Sequence, residues 1–461
     1  MRTSETARPA PLELGLALAA LSCLVLSPPA GAQSNDEIQT GVQFNFLAPG
    51  ARSLGLGGAF LGLADDATAA YANPAGLTQL VEPEVSIEGR SWEFTSLFVE
   101  CGNAMGEPTG VGIDVVNGLR QGEMGEGTQG FSFLSYVHVG NRWAFSVYRH
   151  ELARFSASLR SEGIFFSFPD HPGFRTSPVR SHLELGITGF GLVGAWELSN
   201  ALSLGLGAAS YDFHLTSITK RFAVQALTGD PQLDALPGGK YGSADFSAGN
   251  VLSSQIQDGE ESGTGVHAGI LWRPNRRWSV GAVYRNGPEF NFVGALVNGP
   301  SSPRPGWVDT SVGGEGTFHV PDVWGLGIAL RVSERFIATL DWDHVDYSDS
   351  NDDMLNMIRI GRSDPENYVI DNGDEIHLGF EYLTLRPRHP VGLRLGVWRD
   401  PNHKIHYTGE RELSQARFLP GTDEIHISGG LGIVIGRSQF DIGLDLSDRV
   451  DTLSFSTVAS F

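Results

Sequence analysis

The sequence predicts an all-β protein, a transmembrane antiparallel β-barrel of about fourteen strands with a small N-terminal helical hatch in its lumen. Segments in which every second residue is apolar follow one another, tight turns alternate with long polar connections, and the chain closes on Phe461. The alternation alone also fits a soluble β-sandwich, in which the apolar faces meet each other instead of lipid. The pattern of connections and the terminal strand favour the barrel.

The first 32 residues have the features of a secretory signal peptide. Arg2 and Arg8 precede an apolar run from Leu14 to Leu26, and Ala30-Gly31-Ala32 supplies the small residues of a cleavage site. The mature chain from residue 33 then keeps only Cys101, so it forms no intrachain disulfide. The formal charge of -21 argues against nucleic acid as a partner.

The stretch from Gly50 to Leu77 differs from everything after it, because it combines glycines such as Gly57 and Gly58 with a short Ala-rich run. Asp65 or Asp66 is suited to cap a helix over residues 67–72, and Asn73, which precedes Pro74, should end it. The stretch is then either only a well-capped helix and turn or a hatch whose small residues pack inside a lumen. We expect a hatch over residues 33–80 and a barrel over residues 81–461.

The clearest strands lie near the C-terminus. Residues 424–436 place five aliphatic side chains on one face, and residues 439–447 place Phe440, Ile442, Leu444 and Leu446 opposite Asp441 and Asp445. An apolar exterior with a polar or glycine interior is what a lipid-facing barrel strand requires. The final strand, residues 453–461, alternates in the same way, and its terminal phenylalanine resembles the assembly signal of bacterial outer-membrane barrels.

The connections alternate between short and long. Tight turns are predicted at Asn141-Arg142, Ser199-Asn200, residues 274–277 and Ser333-Glu334, with long polar stretches near residues 152–182, 216–262, 293–319, 345–374 and 399–423. Outer-membrane barrels have short periplasmic turns and long external loops. At roughly 30 residues per strand and connection, the mature chain gives about fourteen strands.

The hatch stretch and the strands together resemble the FadL/TodX family of outer-membrane transporters of long-chain fatty acids and aromatic hydrocarbons. The resemblance is carried by residues 50–60 and 64–77, and more weakly by residues 320–322 with 341–343 and by 379–382 with 394–397. It implies a fourteen-stranded barrel, an N-terminal hatch with Asn73, Pro74, Ala75, Gly57 and Gly58 in the gate, and lateral release of substrate through the wall. It also implies location in the outer membrane of a Gram-negative-type bacterium.

The function expected from this resemblance is passive transport of hydrophobic small molecules through a hatch-gated, monomeric barrel in contact with outer-membrane lipid. The alternative is a barrel of the same architecture that serves as an accessory or shuttle in protein secretion or surface assembly. Five aromatic residues near presumed external strand ends are weak candidates for substrate contact: Phe165, Phe166, Phe168, Phe290 and Phe292. The competing interpretation places them in the aromatic girdle of the barrel.

Nothing in the sequence favours a cofactor, a metal or catalysis. Residues 189–194 match G-x-G-x-x-G, but a strand follows where a dinucleotide site needs a helix. Asp341, Asp343, His344 and Asp346 could form a metal site or the acid–base pair of an outer-membrane hydrolase, but Asp341 and Asp343 should lie on one face of a strand and the other two on the opposite face, which favours a polar lumen followed by a solvated loop. Residues 349–353 begin like a calcium loop, but Met354 replaces its glycine. We therefore predict a protein that is not an enzyme.

Overall fold

The computed structural model of the chain describes residues 44–168, 171–225, 227–309, 315–350, 364–384, 389–411, 414–415 and 418–461. The predicted signal peptide, the first part of the predicted hatch and most of the calcium-like loop lie outside these residues. Two short helices, α1 (Ala51–Gly55) and α2 (Ala69–Ala72), and a 3₁₀ helix at Pro74–Gln79 precede the strands, and a third, α3 (Pro231–Asp234), lies in a long connection. No helix in the described part of the chain is long and apolar enough to cross a membrane.

The strands are β1 (Glu84–Met105), β2 (Leu119–Val139), β3 (Trp143–Ser161), β4 (Gly163–Phe168), β5 (His171–Arg175), β6 (Val179–Ser199), β7 (Leu202–Phe222), β8 (Val251–Trp272), β9 (Trp278–Arg285), β10 (Glu289–Asn298), β11 (Val308–Asp309), β12 (Glu315–His319), β13 (Val323–Arg331), β14 (Phe336–Val345), β15 (Tyr368–Val369), β16 (Gly373–Thr384), β17 (Val391–Asp400), β18 (His406–Tyr407), β19 (Glu424–Ile435), β20 (Ser438–Leu446) and β21 (Val450–Ser460).

These strands close into the predicted antiparallel barrel. Within the described residues, the wall runs β1, β2, β3, β6, β7, β8, β9 with β10, β12 with β13, β14, β16, β17, β19, β20 and β21, which is fourteen barrel strands. Strand β21 then pairs with β1, from Glu84 opposite Ser460 to Phe94 opposite Val450. Because β9 and β10 both pair with β8, we count them as one interrupted barrel strand. The fold prediction is confirmed.

The two faces of the wall differ as predicted for a barrel in lipid. Ile425, Ile427 and Leu431 of β19 are 57%, 60% and 49% exposed, whereas the alternating His426 and Ser428 are buried. A soluble sandwich would bury such aliphatic side chains, so the exposed apolar band identifies the lipid-facing surface. Four exposed tryptophans lie at the ends of strands joined by short turns, and these are Trp143, Trp196, Trp272 and Trp278.

Several strands are longer than the membrane requires. Strands β6 and β7 each contain 21 residues, so parts of the stretches predicted as external loops at 152–182 and 216–262 are paired strand. Backbone pairing continues beyond the membrane, where both faces can be polar, so the apolar alternation that indicates a strand disappears while the hydrogen-bond ladder persists. The G-x-G-x-x-G match lies inside β6 and is no phosphate loop.

Residues 44–80, called here the luminal segment, fill the barrel from inside. Its apolar residues, including Leu56, Phe60 and Leu77, are buried against inward-facing side chains of the wall. The helix α2 is shorter than predicted, because Thr68 and not Asp65 or Asp66 precedes its first residue. Asp66 instead accepts hydrogen bonds from the backbone and side chain of Thr68, at 2.9 and 2.5 Å.

Candidate functional site

Glycines of the wall allow the backbone of the luminal segment to approach the strands closely. A Cβ atom added at any of six of them would lie 2.2–2.7 Å from a backbone atom of the segment, and these six are Gly205, Gly281, Gly327, Gly379, Gly396 and Gly443. Real Cβ atoms essentially never show contacts under 3.0 Å. Each of these strands therefore needs glycine at that position to accommodate the segment.

Glycines of the segment itself meet the same requirement from the other side. A Cβ at Gly62 would lie 2.8 Å from the backbone nitrogen of Ala329, and one at Gly55 would lie 2.9 Å from Gly430. The predicted gate residues Gly57 and Gly58 have φ of 66° and 81°, which L side chains rarely adopt. The close contact between the luminal segment and the wall thus requires glycines, which have no side chain, on both sides.

Asn73 joins the segment to the wall. Its Nδ2 donates to the carbonyl oxygens of Leu61 in the segment and Ile270 in β8, at 3.0 and 3.1 Å. Its Oδ1 accepts from the backbone of Ala75 at 3.2 Å, and the residue is fully buried. The predicted Pro74 and Ala75 pack against Gly205 of β7. The three residues therefore lie together at the contact between the segment and neighbouring strands β7 and β8.

Arg52 is the main charged contact of the segment and was missed as a site residue by sequence reasoning. Its guanidinium lies 2.6 Å from Asp65, 3.2 Å from Asp66 and 2.9 Å from Glu381 of β16. Glu381 also pairs with Arg394 of β17 at 2.7 Å. Burial by itself lowers the pKa of Arg52, but Asp65 and Glu381 outweigh it and hold the pKa well above its ordinary value. The charged guanidinium thus links the segment to the wall.

A stack of three rings crosses neighbouring strands beside the segment. Trp398 of β17 lies between His377 of β16 and His426 of β19, with ring centroids 5.1 and 3.9 Å apart. The Nδ1 atom of His377 is 2.7 Å from the carbonyl oxygen of Gly57, and Asp341 accepts from the backbone of Leu61 at 2.7 Å. The stack and the neighbouring carboxylates therefore touch the segment directly.

The predicted separation of the acidic strand residues agrees with the structure. Asp341 and Asp343 point inward, whereas His344 faces outward and contacts Asp374 at 2.8 Å and Asp346 at 3.1 Å. No group of three or more His, Cys, Asp or Glu side chains suited to a metal ion is present among the described residues. The inward pair instead belongs to the wall that surrounds the segment.

A cavity lies against residues 44–47 of the luminal segment. Its apolar lining is mainly aromatic and contains Phe44, Phe46, Trp92, Phe94, Tyr347 and Trp398, together with Leu47 and Val450. A second space, lined by residues 401–404 and 419–422 and by neighbouring strand residues, shares Phe94, Asp400 and Val450 with it. The two spaces are therefore adjacent and lie between the external connection and the segment. We call the first space the aromatic cavity.

The backbone pairing of the wall is interrupted beside this cavity. Strand β2 pairs with β3 only from Phe133 to Val139, and past a bulge at Leu152 strand β3 pairs with β6 but not with β2. We call this gap in the pairing the opening between β2 and β3. Arg154 of β3 lines the aromatic cavity and donates across the opening to the carbonyl oxygen of Gln129 in β2 at 2.9 Å. The backbone of Asn45 donates to Leu152 at 2.8 Å, so the luminal segment contacts β3 at the opening.

The aromatic residues proposed as substrate contacts do not come together. Phe290 and Phe292 point into the barrel and are buried, which is incompatible with an outward-facing girdle. Phe165 and Phe166 are also buried, but they pack on Tyr241 and Phe174 in the external connections. The side chain of Phe168 lies outside the described part of the structure. None of the four described side chains lines the aromatic cavity.

Comparison with known proteins agrees with this architecture. A FadL homologue from Pseudomonas aeruginosa matches with a TM-score of 0.58 at 14% identity, covering 90% of this chain and 99% of that chain. The toluene transporter TodX of P. putida matches with a TM-score of 0.55 at 14% identity, covering 90% and 99%. The toluene transporter TbuX of Ralstonia pickettii matches with a TM-score of 0.54 at 15% identity, covering 90% and 99%. At these identities the matches establish the fold.

A family model matches the middle of the chain. Comparison with curated proteins gives no match. The family model described as outer membrane protein transport protein (OMPP1/FadL/TodX) matches residues 159–382. That description is of a transport protein and not of an enzyme, and with the barrel fold it indicates the outer membrane of a Gram-negative bacterium. The predicted resemblance to the FadL/TodX family is therefore confirmed over residues 159–382 in sequence and over the barrel in fold.

Proposed function

We propose that the protein lets hydrophobic small molecules, hydrocarbons or long-chain fatty acids, diffuse across the outer membrane. The observation that carries this proposal is the aromatic cavity, which ends on the luminal segment and reaches the opening between β2 and β3 at Arg154. Apolar ligands gain free energy by leaving water for such a lining. The protein would act as a monomer.

In this proposal the luminal segment is a hatch, within a hatch region of residues 33–80 and a barrel of residues 81–461. Support comes from its buried contacts with the wall, above all Arg52 to Glu381 and Asn73 to Ile270. While these contacts hold, a ligand in the aromatic cavity meets closed protein toward the periplasm and an open wall beside β3. Lateral release of the ligand into the membrane fits this arrangement. The hatch would control whether the ligand can pass through the lumen toward the periplasm.

The test is uptake of radiolabelled toluene or oleate into liposomes that contain the purified protein. Thr452 is buried and lines the aromatic cavity, so Thr452→Trp should fill it and slow uptake at least about tenfold. The neighbouring Leu453 faces lipid at 36% exposure, and Leu453→Trp is the matched control that should transport normally. Equal uptake by the two variants would overturn the proposed route.

A further inference from the structure

Two buried polar atoms in the aromatic cavity make no hydrogen bond with the described residues. Both His426 and Asp400 line the cavity, and neither His426 Nε2 nor Asp400 Oδ1 has a hydrogen-bond partner among the described residues. Buried polar groups are nearly always hydrogen-bonded, because leaving one unpaired costs free energy. The presence of two such atoms in one cavity therefore points to a ligand that forms hydrogen bonds with His426 Nε2 and Asp400 Oδ1.

The orientation of His426 leaves only one edge for a ligand. The residue is 1% exposed, its Nδ1 is 2.7 Å from Asp445, and its face stacks on Trp398. Asp445 also accepts from the indole nitrogen of Trp398 at 3.0 Å. Because Nδ1 faces Asp445 and Trp398 covers the ring face, Nε2 is the ring atom of His426 that is left to contact a ligand.

Asp400 supplies a carboxylate acceptor and lies on the same inward face of β17 as Trp398, because it follows Trp398 by two residues. The nearest basic atom to its free oxygen is Nδ1 of His403 at 3.6 Å, which is too long for a hydrogen bond. The oxygen therefore remains available to a hydrogen-bond donor in the cavity.

The cavity offers little to a ligand carboxylate. Its two guanidinium groups are already engaged, Arg90 by Glu88 at 2.8 Å and Arg154 by Glu151 at 3.4 Å. The acidic side chains of Glu375, Asp400 and Asp445 also line the space and would repel an anion. The acidic side chains of the cavity thus exclude a ligand carboxylate, whereas the two atoms without hydrogen bonds favour an uncharged hydroxyl group.

We infer that the aromatic cavity selects an uncharged aromatic molecule that carries a hydroxyl group, a phenol or benzyl alcohol in chemical class. This inference rests on the proposed transport function and narrows its substrate. The single hydroxyl hydrogen is donated to Asp400 Oδ1, and the hydroxyl oxygen accepts from His426 Nε2 when that nitrogen carries a hydrogen. The ring packs among the aromatic side chains, as offset or edge-on aromatic contacts prefer.

The test compares three probes of similar shape, p-cresol, p-xylene and p-toluate, by calorimetric titration of the purified barrel in detergent. One buried hydrogen bond predicts that p-cresol binds about tenfold more tightly than p-xylene, with p-toluate the weakest. In His426→Phe, which keeps an aromatic ring on Trp398, the p-cresol preference should fall to about twofold while p-xylene affinity holds. The control His344→Phe alters an outward ring beside Asp374 and should keep the full preference.

Asp400→Leu provides a second test in case His426→Phe fails to assemble, and Asp400→Asn, whose amide oxygen still accepts, should restore the preference. Equal binding of p-cresol and p-xylene by the unmodified protein would overturn the inference, as would an unchanged preference in both His426→Phe and Asp400→Leu. Because these are binding measurements, they are independent of the uptake assay. Uptake of toluene with no hydroxyl preference would leave transport intact and refute the selectivity alone.

Discussion

Replacing Gly205 with alanine should unseat the luminal segment without breaking the barrel wall. The new Cβ would lie 2.3 Å from the nitrogen of Ala75 and 2.4 Å from the carbonyl carbon of Pro74. Because both contacts are with backbone, no flexible side chain can move away, and the segment must retreat by about 1 Å to reach ordinary contact. The wall keeps its hydrogen bonds, since alanine leaves the β7 backbone unchanged.

The size of the effect follows from what the retreat disrupts. Asn73, adjacent to this contact, would lose its bond to Ile270 of the wall, at about 1 kcal/mol. Overpacking adds about 1 to 2 kcal/mol. A total of roughly 2 to 3 kcal/mol raises the displaced fraction of the segment about 30- to 160-fold.

Amide hydrogen exchange of residues 69–77 and ion conductance in planar bilayers measure the displacement. Gly205→Ala should exchange faster and conduct more than the unmodified protein. Gly186→Ala in β6 is the matched control, because no atom lies within 4 Å of its added Cβ. If the two variants exchange and conduct alike, the close approach at Gly205 does not hold the segment in place.

Three further changes test other contacts. Asn73→Ala should alter toluene uptake into liposomes without preventing barrel assembly, as followed by heat-modifiable electrophoresis, and unchanged uptake would count against a gating hatch. Arg52→Met leaves Asp65, Asp66 and Glu381 without this cationic partner, at a cost of about 3 to 5 kcal/mol. Proteolysis of residues 44–80 should therefore be faster in Arg52→Met and partly restored toward the original rate in Arg52→Lys. An unchanged rate of proteolysis in Arg52→Met would contradict the ion-pair assignment. Arg154→Met removes the hydrogen-bond donor that reaches Gln129 across the opening and should speed uptake several-fold. The control Arg160→Met, at the exposed end of β3, should not change the uptake rate. Equal uptake rates in the two variants would show that Arg154 does not lie on the route.

The fold could be predicted because its main signal is local. Alternation of lipid-facing and luminal side chains, as between Ile427 and His426, is written into consecutive residues. Turn residues such as Asn141-Arg142 and Ser199-Asn200 also act over a few positions. Strand length beyond the membrane was missed, because pairing there depends on the partner strand and not on apolar alternation. The start of helix α2 was predicted two residues early, although Asp66 does accept from the free backbone N–H of Thr68 just before the helix, as expected of a capping carboxylate.

The aromatic cavity could not be predicted from the sequence. Its lining draws on the luminal segment at Phe44, on β1 at Trp92, on β17 at Trp398 and on a connection at Tyr347. These residues are distant along the chain, and each taken alone is an ordinary inward-facing or loop aromatic. The phenylalanines singled out by local density, such as Phe165 and Phe166, pack in the external connections instead. Aromatic residues that are close together in the sequence are expected to be buried, but their spacing does not show which cavity their rings line.

The glycine contacts show why the luminal segment fits this barrel in one arrangement. From Ala51 onward, the segment meets Gly443 of β20, then Gly430 of β19 and Gly396 of β17, and it later reaches Gly205 of β7. The contacts therefore follow the wall from one strand to the next, through the sector that runs from β20 to β7. A glycine within a strand indicates that another stretch of backbone approaches closely, but the sequence around the glycine does not identify that stretch. The opening between β2 and β3 lies in the remaining sector, away from these glycine contacts. The close backbone contacts of the segment and the gap in the strand pairing therefore lie in different sectors of the barrel.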